Sequence, residues 1–123
     1  GAKLAAPEKH VINVMGDAAF GMAGMDVETA FRAEIPILTV VLNNGVMTHY
    51  DHHMPYASEH WGSNALGGHY ARVAEGLGAS AQRVEAIEDL GPAIRRGLAA
   101  NREGLPALLE VMTKVEENVP SYW

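Results

Sequence analysis

Cysteine is absent from the 123 residues, which excludes disulfide scaffolds and thiolate metal sites and fits a reducing, cytoplasmic setting. Basic residues are scarce: 9 Lys and Arg stand against 15 Asp and Glu, for a formal net charge of −6. With no basic stripe to meet a phosphate backbone, nucleic acid is not an expected partner. Long apolar runs are missing too. None approaches the ~20 residues of a membrane span, nothing at the start reads as a signal peptide, and no membrane partner is expected. Repeats and low-complexity tracts are also absent. What remains is 48% hydrophobic and 20% charged, the composition of a globular chain of one domain.

The ends carry their own signals. "GAKLAAPEK" (residues 1–9) reads as the last turns of a helix, because Ala, Lys and Leu favour helix and Pro7 stops it. No cap precedes it, so residues 1–123 are expected to be one domain at the C-terminal end of a longer polypeptide, truncated at its N-terminus. At the other end, "TKVEENVPSYW" is a polar tail whose aromatics need a covering partner.

Between the ends, strand and helix patterns alternate. "HVINVM" (10–15) and "IPILTVVL" (35–42) are short, apolar and β-branched, as buried parallel strands are. The first runs through Gly16-Asp17 and two alanines into what reads as a glycine-bearing loop. "MDVETAFRAE" (25–34) then places Val27, Ala30 and Phe31 on one helical face. "GGHYARVAEGLGA" (67–79) predicts a helix and "QRVEAI" a brief strand. "EDLGPAIRRGLAANREG" (88–104) predicts a third helix closed by Gly104, and "LPALLEVMT" (105–113) a final buried strand. Residues 45–66, rich in Gly, Pro, Ser, Asn and rings, show neither period. The expected fold class is α/β, a mostly parallel sheet flanked by helices on both faces.

In open sheets of this kind ligands bind beyond the carboxyl ends of the strands. Two such ends are chemically marked, Gly16-Asp17-Ala18 and Asn43-Asn44-Gly45. If the strands are neighbours, Asp17 and Asn44 emerge side by side. A carboxylate with an amide oxygen and a nearby carbonyl is a hard, all-oxygen set suited to Mg²⁺ or Ca²⁺. Mg²⁺ completes its shell with phosphate oxygens and water, so Asp17 would hold a metal and the metal a phosphate. The small Ala18 and Ala19 would let backbone N–H groups approach the anion. Singly, each mark has a plainer reading: an Asp at a strand end more often caps a helix, and Asn-Asn-Gly is most often a turn. Gly16 to Gly21 has the spacing of a P-loop, but Met22-Ala23 stand where Lys and Ser or Thr are required. No G-x-G-x-x-G for a dinucleotide is present.

Gly16-Asp17-Ala18, 24 intervening residues (19–42) and Asn43-Asn44 give the chain a family likeness. It resembles the C-terminal cofactor domain of thiamine diphosphate enzymes, in the acetolactate synthase and 2-oxo acid decarboxylase superfamily, whose signature is Gly-Asp-Gly followed by Asn-Asn. "MDVETAFRAEIPILTVVLNN", "GGHYARVAEGLGA" and "LPALLEV" extend the likeness over essentially the whole chain. The departure is Ala18, where many members have Gly; a methyl group fits if the local φ is negative. The resemblance implies the thiamin diphosphate-binding fold, and thiamine diphosphate and Mg²⁺ as cofactors. Asp17, the side chain of Asn44 and the main-chain carbonyl of Val46 are the implied Mg²⁺ ligands. Gly16, Asp17, Ala18, Ala19, Asn44, Val46 and Met47 would surround the cofactor.

Five of the six histidines lie between His49 and His69. His52 and His53 are adjacent and His49 is three residues before the first of them; His49 and His53 stand at i, i+4 but without the H-E-x-x-H pattern of a helical zinc site. The resemblance instead makes "GVMTHYDHH" a wall above the cofactor's thiazolium ring, with Met47, His49 and Tyr50 as substrate-contact candidates; the competing reading is an ordinary loop packed on a partner subunit. Glu28 and Thr29 read as structural. The implied function is a carbon–carbon lyase or carboligase acting on 2-oxo acids, acetolactate synthase-like. Alternatives are a simple 2-oxo acid decarboxylase, benzoylformate decarboxylase-like, an acyl-CoA lyase, oxalyl-CoA decarboxylase-like, or a non-catalytic cofactor-binding module. The activating glutamate belongs, by resemblance, to a pyrimidine-binding domain of a second subunit. No residue here matches it, and no catalytic residue is assigned within this chain, which is not expected to be active alone. A homodimer or homotetramer is expected, since Phe20, the aromatic tail and the ring-rich segment offer more apolar surface than a small sheet covers.

Overall fold

Parallel pairing organises the chain. The structure, a computed structural model, describes residues 1–115; the aromatics of the C-terminal tail lie outside the described residues. A single turn of helix, α1 (Ala2–Ala5), ends before Pro7 as its sequence predicts. Then come β1 (Ile12–Gly16), α2 (Asp17–Ala23), α3 (Asp26–Arg32) and β2 (Leu38–Asn43). Two short helices follow, α4 (Tyr50–His53) and α5 (Pro55–Trp61), then α6 (Tyr70–Gly76), β3 (Ser80–Val84), α7 (Ile87–Arg102) and β4 (Ala107–Met112). The strands form one four-stranded sheet in the order β1-β2-β4-β3, every neighbouring pair parallel. This is the expected α/β architecture.

Alternation along the inner strands divides the core into two layers. Val41 and Leu108 face a layer with Phe20 of α2, Val27 of α3 and Ala71 and Ala74 of α6. Leu38, Ala107 and Leu109 face the other way, against Ala93 and Ala100 of α7. Small residues let the helices approach closely: a Cβ added at Gly97 would stand 2.8 Å from Leu38 Cδ1. Phe20 is 4% exposed and meets Tyr70 edge-on at 5.6 Å between ring centroids. It is a core residue, so its expected part in an exposed apolar surface is corrected.

Three further readings change. The glycine-bearing stretch after Asp17 is helix α2, not a loop, because Phe20 anchors one side of it in the core while Asp17 sits favourably in its first turn. Phe31 is 44% exposed rather than buried with Val27 and Ala30; its ring lies over Gly78, whose φ of +94° leaves no room for a side chain. The third strand starts earlier than "QRVEAI", at Ser80. On the α7 side, α7 leaves the sheet edge uncovered. Ile12 and Val14 are exposed there, in register with the inward-packed Leu38 and Val40, and so is Leu42 further along β2. Among the described residues no helix is long and apolar enough to cross a membrane.

Candidate functional site

Because β1 and β2 are parallel neighbours with Gly16 level with Leu42, the chain leaves the sheet at Asp17 and at Asn43 on the same side. Asp17 is 3% exposed. Its Oδ1 accepts the N–H of Ala18 at 2.8 Å, a local bond of the capping kind. Its Oδ2 reaches across to the second strand end and accepts the N–H of Gly45 at 2.8 Å. The residue after Asn44 is thus fastened to Asp17, and the two marked strand ends form one site. No Lys, Arg or His forms an ion pair with Asp17 among the described residues.

The turn after β2 is fixed at each residue. Gly45 has φ +74°, the left-handed geometry that makes Gly the natural occupant. Asn44 Oδ1 accepts the N–H of Val46 at 3.1 Å, an Asx turn. Val46 pairs with Ala65 in an isolated antiparallel bridge. The bonds of that bridge belong to its flanks, Leu66 N–H to Gly45 O at 2.8 Å and Met47 N–H to Asn64 O at 2.8 Å. In this kind of pair the central residue's own N–H and carbonyl point the other way, so the Val46 carbonyl faces away from segment 62–66, on the side where Asn44 Oδ1 meets the Val46 N–H. Gly16 is exposed, and a Cβ there would meet nothing within 4 Å. Ala18 lies inside α2 without positive φ, so its methyl group is accommodated.

Two further side chains brace this turn: the sequence marked Asn43 without giving it a role and did not single out Glu110. Asn43, 5% exposed, accepts the same Gly45 N–H on its Oδ1 at 3.1 Å. Glu110 of β4, 0% exposed, accepts the amide of Asn43 at 2.7 Å. A signal existed for the second: an acid in the middle of "ALLEVM" must find donors if that strand is buried. Tyr70 stands nearby. Burial pushes its hydroxyl above the ordinary value of 10.0, and the charges of Asp17 and Glu110 push in the same direction.

The ring-rich segment lies beside this turn. Met47 and His49 line, with Val46, His52 and Asn64, a cleft of about 300 Å³. Tyr50 starts α4 and does not line it. His49 has φ +65°, a conformation that costs a non-glycine residue free energy and recurs at ligand sites. Among the described residues no group of three or more His, Cys, Asp or Glu is placed to hold a metal ion. Glu28 is paired with Arg32 at 2.8 Å on the surface, in keeping with a structural role.

A parallel α/β sheet with its polar cluster at the carboxyl strand ends defines a ligand-binding domain of the doubly wound class. The particular family follows from comparison. Residues 1–111 match the family described as thiamine pyrophosphate enzyme, C-terminal TPP binding domain, and the chain belongs to it. It is 32% identical over 97% of its length to the mitochondrial acetolactate synthase of Schizosaccharomyces pombe, covering 18% of that protein. It is 31% identical over 98% of its length to the sulfoacetaldehyde acetyltransferase of Alcaligenes xylosoxydans xylosoxydans, covering 20% of it. The thiamine diphosphate-dependent 4-hydroxybenzoylformate decarboxylase of Rhodococcus jostii RHA1 superposes with a TM-score of 0.79 at 28% identity, over 95% of this chain and 22% of that one. The chain spans about a fifth of the length of the curated relatives it matches.

Proposed function

We propose that this domain holds Mg²⁺ and the diphosphate end of thiamine diphosphate at the joined ends of β1 and β2. The bond from Gly45 N–H to Asp17 Oδ2 at 2.8 Å carries the reading, since it unites the two half-motifs in one turn. Asp17 Oδ1 and Oδ2, Asn44 Oδ1 and the Val46 carbonyl offer hard oxygen donors in one place. One carboxylate is too few for a closed protein cage but suits Mg²⁺ that also takes phosphate oxygens and water. The residues present therefore fit the group. Asp17 and Asn44 would bind the metal from opposite strand ends, and Val46 would complete the protein's share. Gly16, Ala18 and Ala19 would surround the diphosphate, with the open space over Gly16 admitting it.

Thiamine diphosphate supplies a nucleophilic thiazolium carbon and an electron sink. This chain's part is to bind and orient its charged end, while Met47 and His49 in the adjoining cleft contact substrate. The whole protein would then act on 2-oxo acids as a lyase or carboligase of the acetolactate synthase type, with the activating glutamate on a pyrimidine-binding domain of a second subunit, in a homodimer or homotetramer and in the cytoplasm. The bare strip at Ile12, Val14 and Leu42 supports packing against further protein. A simple 2-oxo acid decarboxylase is the second reading, favoured by the superposition on a decarboxylase. Full-length protein supplied with pyruvate, Mg²⁺ and thiamine diphosphate tests both: a carboligated acid supports the first, a free aldehyde the second. Absence of Mg²⁺-dependent cofactor binding would defeat both.

A further inference from the structure

We infer that Glu110 is a positioning residue of the metal-binding turn, acting through Asn43; the inference rests on the proposed reading of that turn. Glu110 is 0% exposed in the middle of β4, where an apolar side chain would be buried without the several kcal/mol that desolvating a carboxylate costs. Its surroundings offset that cost with N–H donors alone. Oε1 accepts Asn43 Nδ2 at 2.7 Å and Arg83 Nη1 at 2.9 Å, and Oε2 accepts the backbone N–H of Ala71, in the first turn of α6, at 3.0 Å. Arg83 is held in turn by Glu85 at 3.0 Å.

The consequence lies at the far end of Asn43. A side-chain amide has a donor end and an acceptor end, and neighbours decide which way it points. With the carboxylate taking the NH₂ end, Oδ1 must face the turn, where it accepts the Gly45 N–H at 3.1 Å. That same N–H donates to Asp17 Oδ2 at 2.8 Å. The opposite orientation would set oxygen against carboxylate and NH₂ against N–H. Arg83, Glu110, Asn43, Gly45 and Asp17 therefore form one chain of polarised hydrogen bonds, running from β3 across the sheet to the strand-end site. Asn44 and Val46, the other proposed ligands, flank its Gly45 link. A core role alone would be filled by leucine; the carboxylate is needed because it sets the direction of the Asn43 amide.

The test uses the full-length protein and four variants: Glu110→Gln, Asp17→Asn, Asn43→Ala, and Asn43→Ala combined with Glu110→Gln. Amide exchange of the segment containing Gly45 to Thr48 is followed without cofactor, and Mg²⁺ half-saturation is measured at fixed thiamine diphosphate. Glu110→Gln should melt cooperatively yet speed exchange of that segment. It should raise the Mg²⁺ requirement by about tenfold, the loss typical of residues that orient metal ligands, and change kcat at saturating Mg²⁺ by less than that factor. Asn43→Ala should show both losses, and in its background Glu110→Gln should add little to either. If Asp17→Asn weakens Mg²⁺ binding and Glu110→Gln does not, the positioning role is overturned while the site stands. If neither weakens it, the site reading itself fails. Should Glu110→Gln not fold, Asn43→Ala carries the test: faster exchange with a raised Mg²⁺ requirement supports the coupling, and no change in either overturns it.

Discussion

Asp17→Asn separates stability from function most sharply. In the cofactor-free protein Asp17 is a carboxylate 3% exposed, with N–H donors at 2.8 Å on each oxygen and no cation paired to it among the described residues. Hydrogen bonds to a charged group contribute about 1.5–3 kcal/mol each, so these two offset roughly 3–6 kcal/mol. Desolvating a buried ion costs several kcal/mol, a sum of the same size and opposite sign. Asparagine keeps the shape, removes the ion, retains one acceptor and turns an NH₂ group toward the other N–H. The gain and the loss nearly cancel, and the cofactor-free variant should unfold within about 2 kcal/mol of wild type by the same bookkeeping.

Ligand binding should respond very differently. Loss of the sole carboxylate from the donor set should weaken Mg²⁺-dependent binding at least ~100-fold, or about 2.8 kcal/mol at ~1.4 kcal/mol per decade. With ligand at ~100 times the wild-type Kd, binding stabilises wild type by about 2.7 kcal/mol and a 100-fold weaker variant by only about 0.4 kcal/mol. Denaturant titrations of full-length wild type and Asp17→Asn, each with and without Mg²⁺ and thiamine diphosphate, read all four quantities. Equal ligand-induced stabilisation of the two proteins would refute the assignment of Asp17. A variant that cannot fold without ligand would refute the stability balance above, which leaves no reason for collapse.

Other tests address different layers of the structure. Tyr70 has its hydroxyl pKa raised above 10.0 by burial and then by Asp17 and Glu110. Because the folded state holds that proton more tightly than the unfolded chain, the stability it lends is full below pH ~10 and is lost as pH rises through the folded value; alkaline unfolding of Tyr70→Phe should lack this component. In α2, a methyl group from Gly21→Ala meets nothing within 4 Å and should stabilise by about 0.5–1 kcal/mol. In α7, Gly97→Ala drives a methyl group to 2.8 Å from the buried Leu38 and should destabilise by about 1–2 kcal/mol, overpacking outweighing propensity; urea midpoints decide both signs. For the cleft, His49→Ala and Met47→Ala should change the ratio of kcat/KM between 2-oxo acids while cofactor affinity is kept; unchanged ratios in both would return this loop to a structural role.

Much of this was legible in the residues, for physical reasons that also explain the misses. β2 and β4 are short β-branched or leucine-rich runs bounded by Pro, Asn or Gly, and burial on both faces allows few other patterns. Asp17 was legible because a carboxylate at a strand end beside Gly and Ala has a limited set of uses. Helix α2 was hidden because Gly16, Gly21 and Gly24 suggest a loop, whereas the helix is held by tertiary contact of one residue, Phe20; a Cβ at Gly24 would stand 2.9 Å from its ring. The pairing of Asn43 with Glu110 joins residues 67 apart in sequence. No local period reports such a contact, and only the strand order β1-β2-β4-β3 brings them together. Segment 45–66 resisted because its order comes from an isolated bridge and two one- or two-turn helices, too short for a hydrophobic period to register.

The same geometry separates what the domain shares with its relatives from what it can vary. The proposed cofactor ligands sit at strand ends, where the β1–β2 ladder and, for β2, the β2–β4 ladder fix backbone positions, and Asp17, Asn43 and Gly45 lock those ends to each other. The cleft lining hangs beyond them on a bridge and a strained His49, where sequence can change at little cost to the sheet. Relatives named as a synthase, an acetyltransferase and a decarboxylase match this chain at similar identities of 32%, 31% and 28%. Overall likeness therefore does not choose among their reactions. On the proposed reading, a rigid anchor with an adaptable rim would account for that spread, and the choice within this chain would fall to Met47, His49 and their neighbours rather than to Asp17. Exchange of residues 45–66 between this protein and a relative of different named activity should carry substrate preference with it, while the Mg²⁺ requirement stays with the strand ends. A hybrid whose preference follows the rest of the polypeptide would place specificity outside this domain.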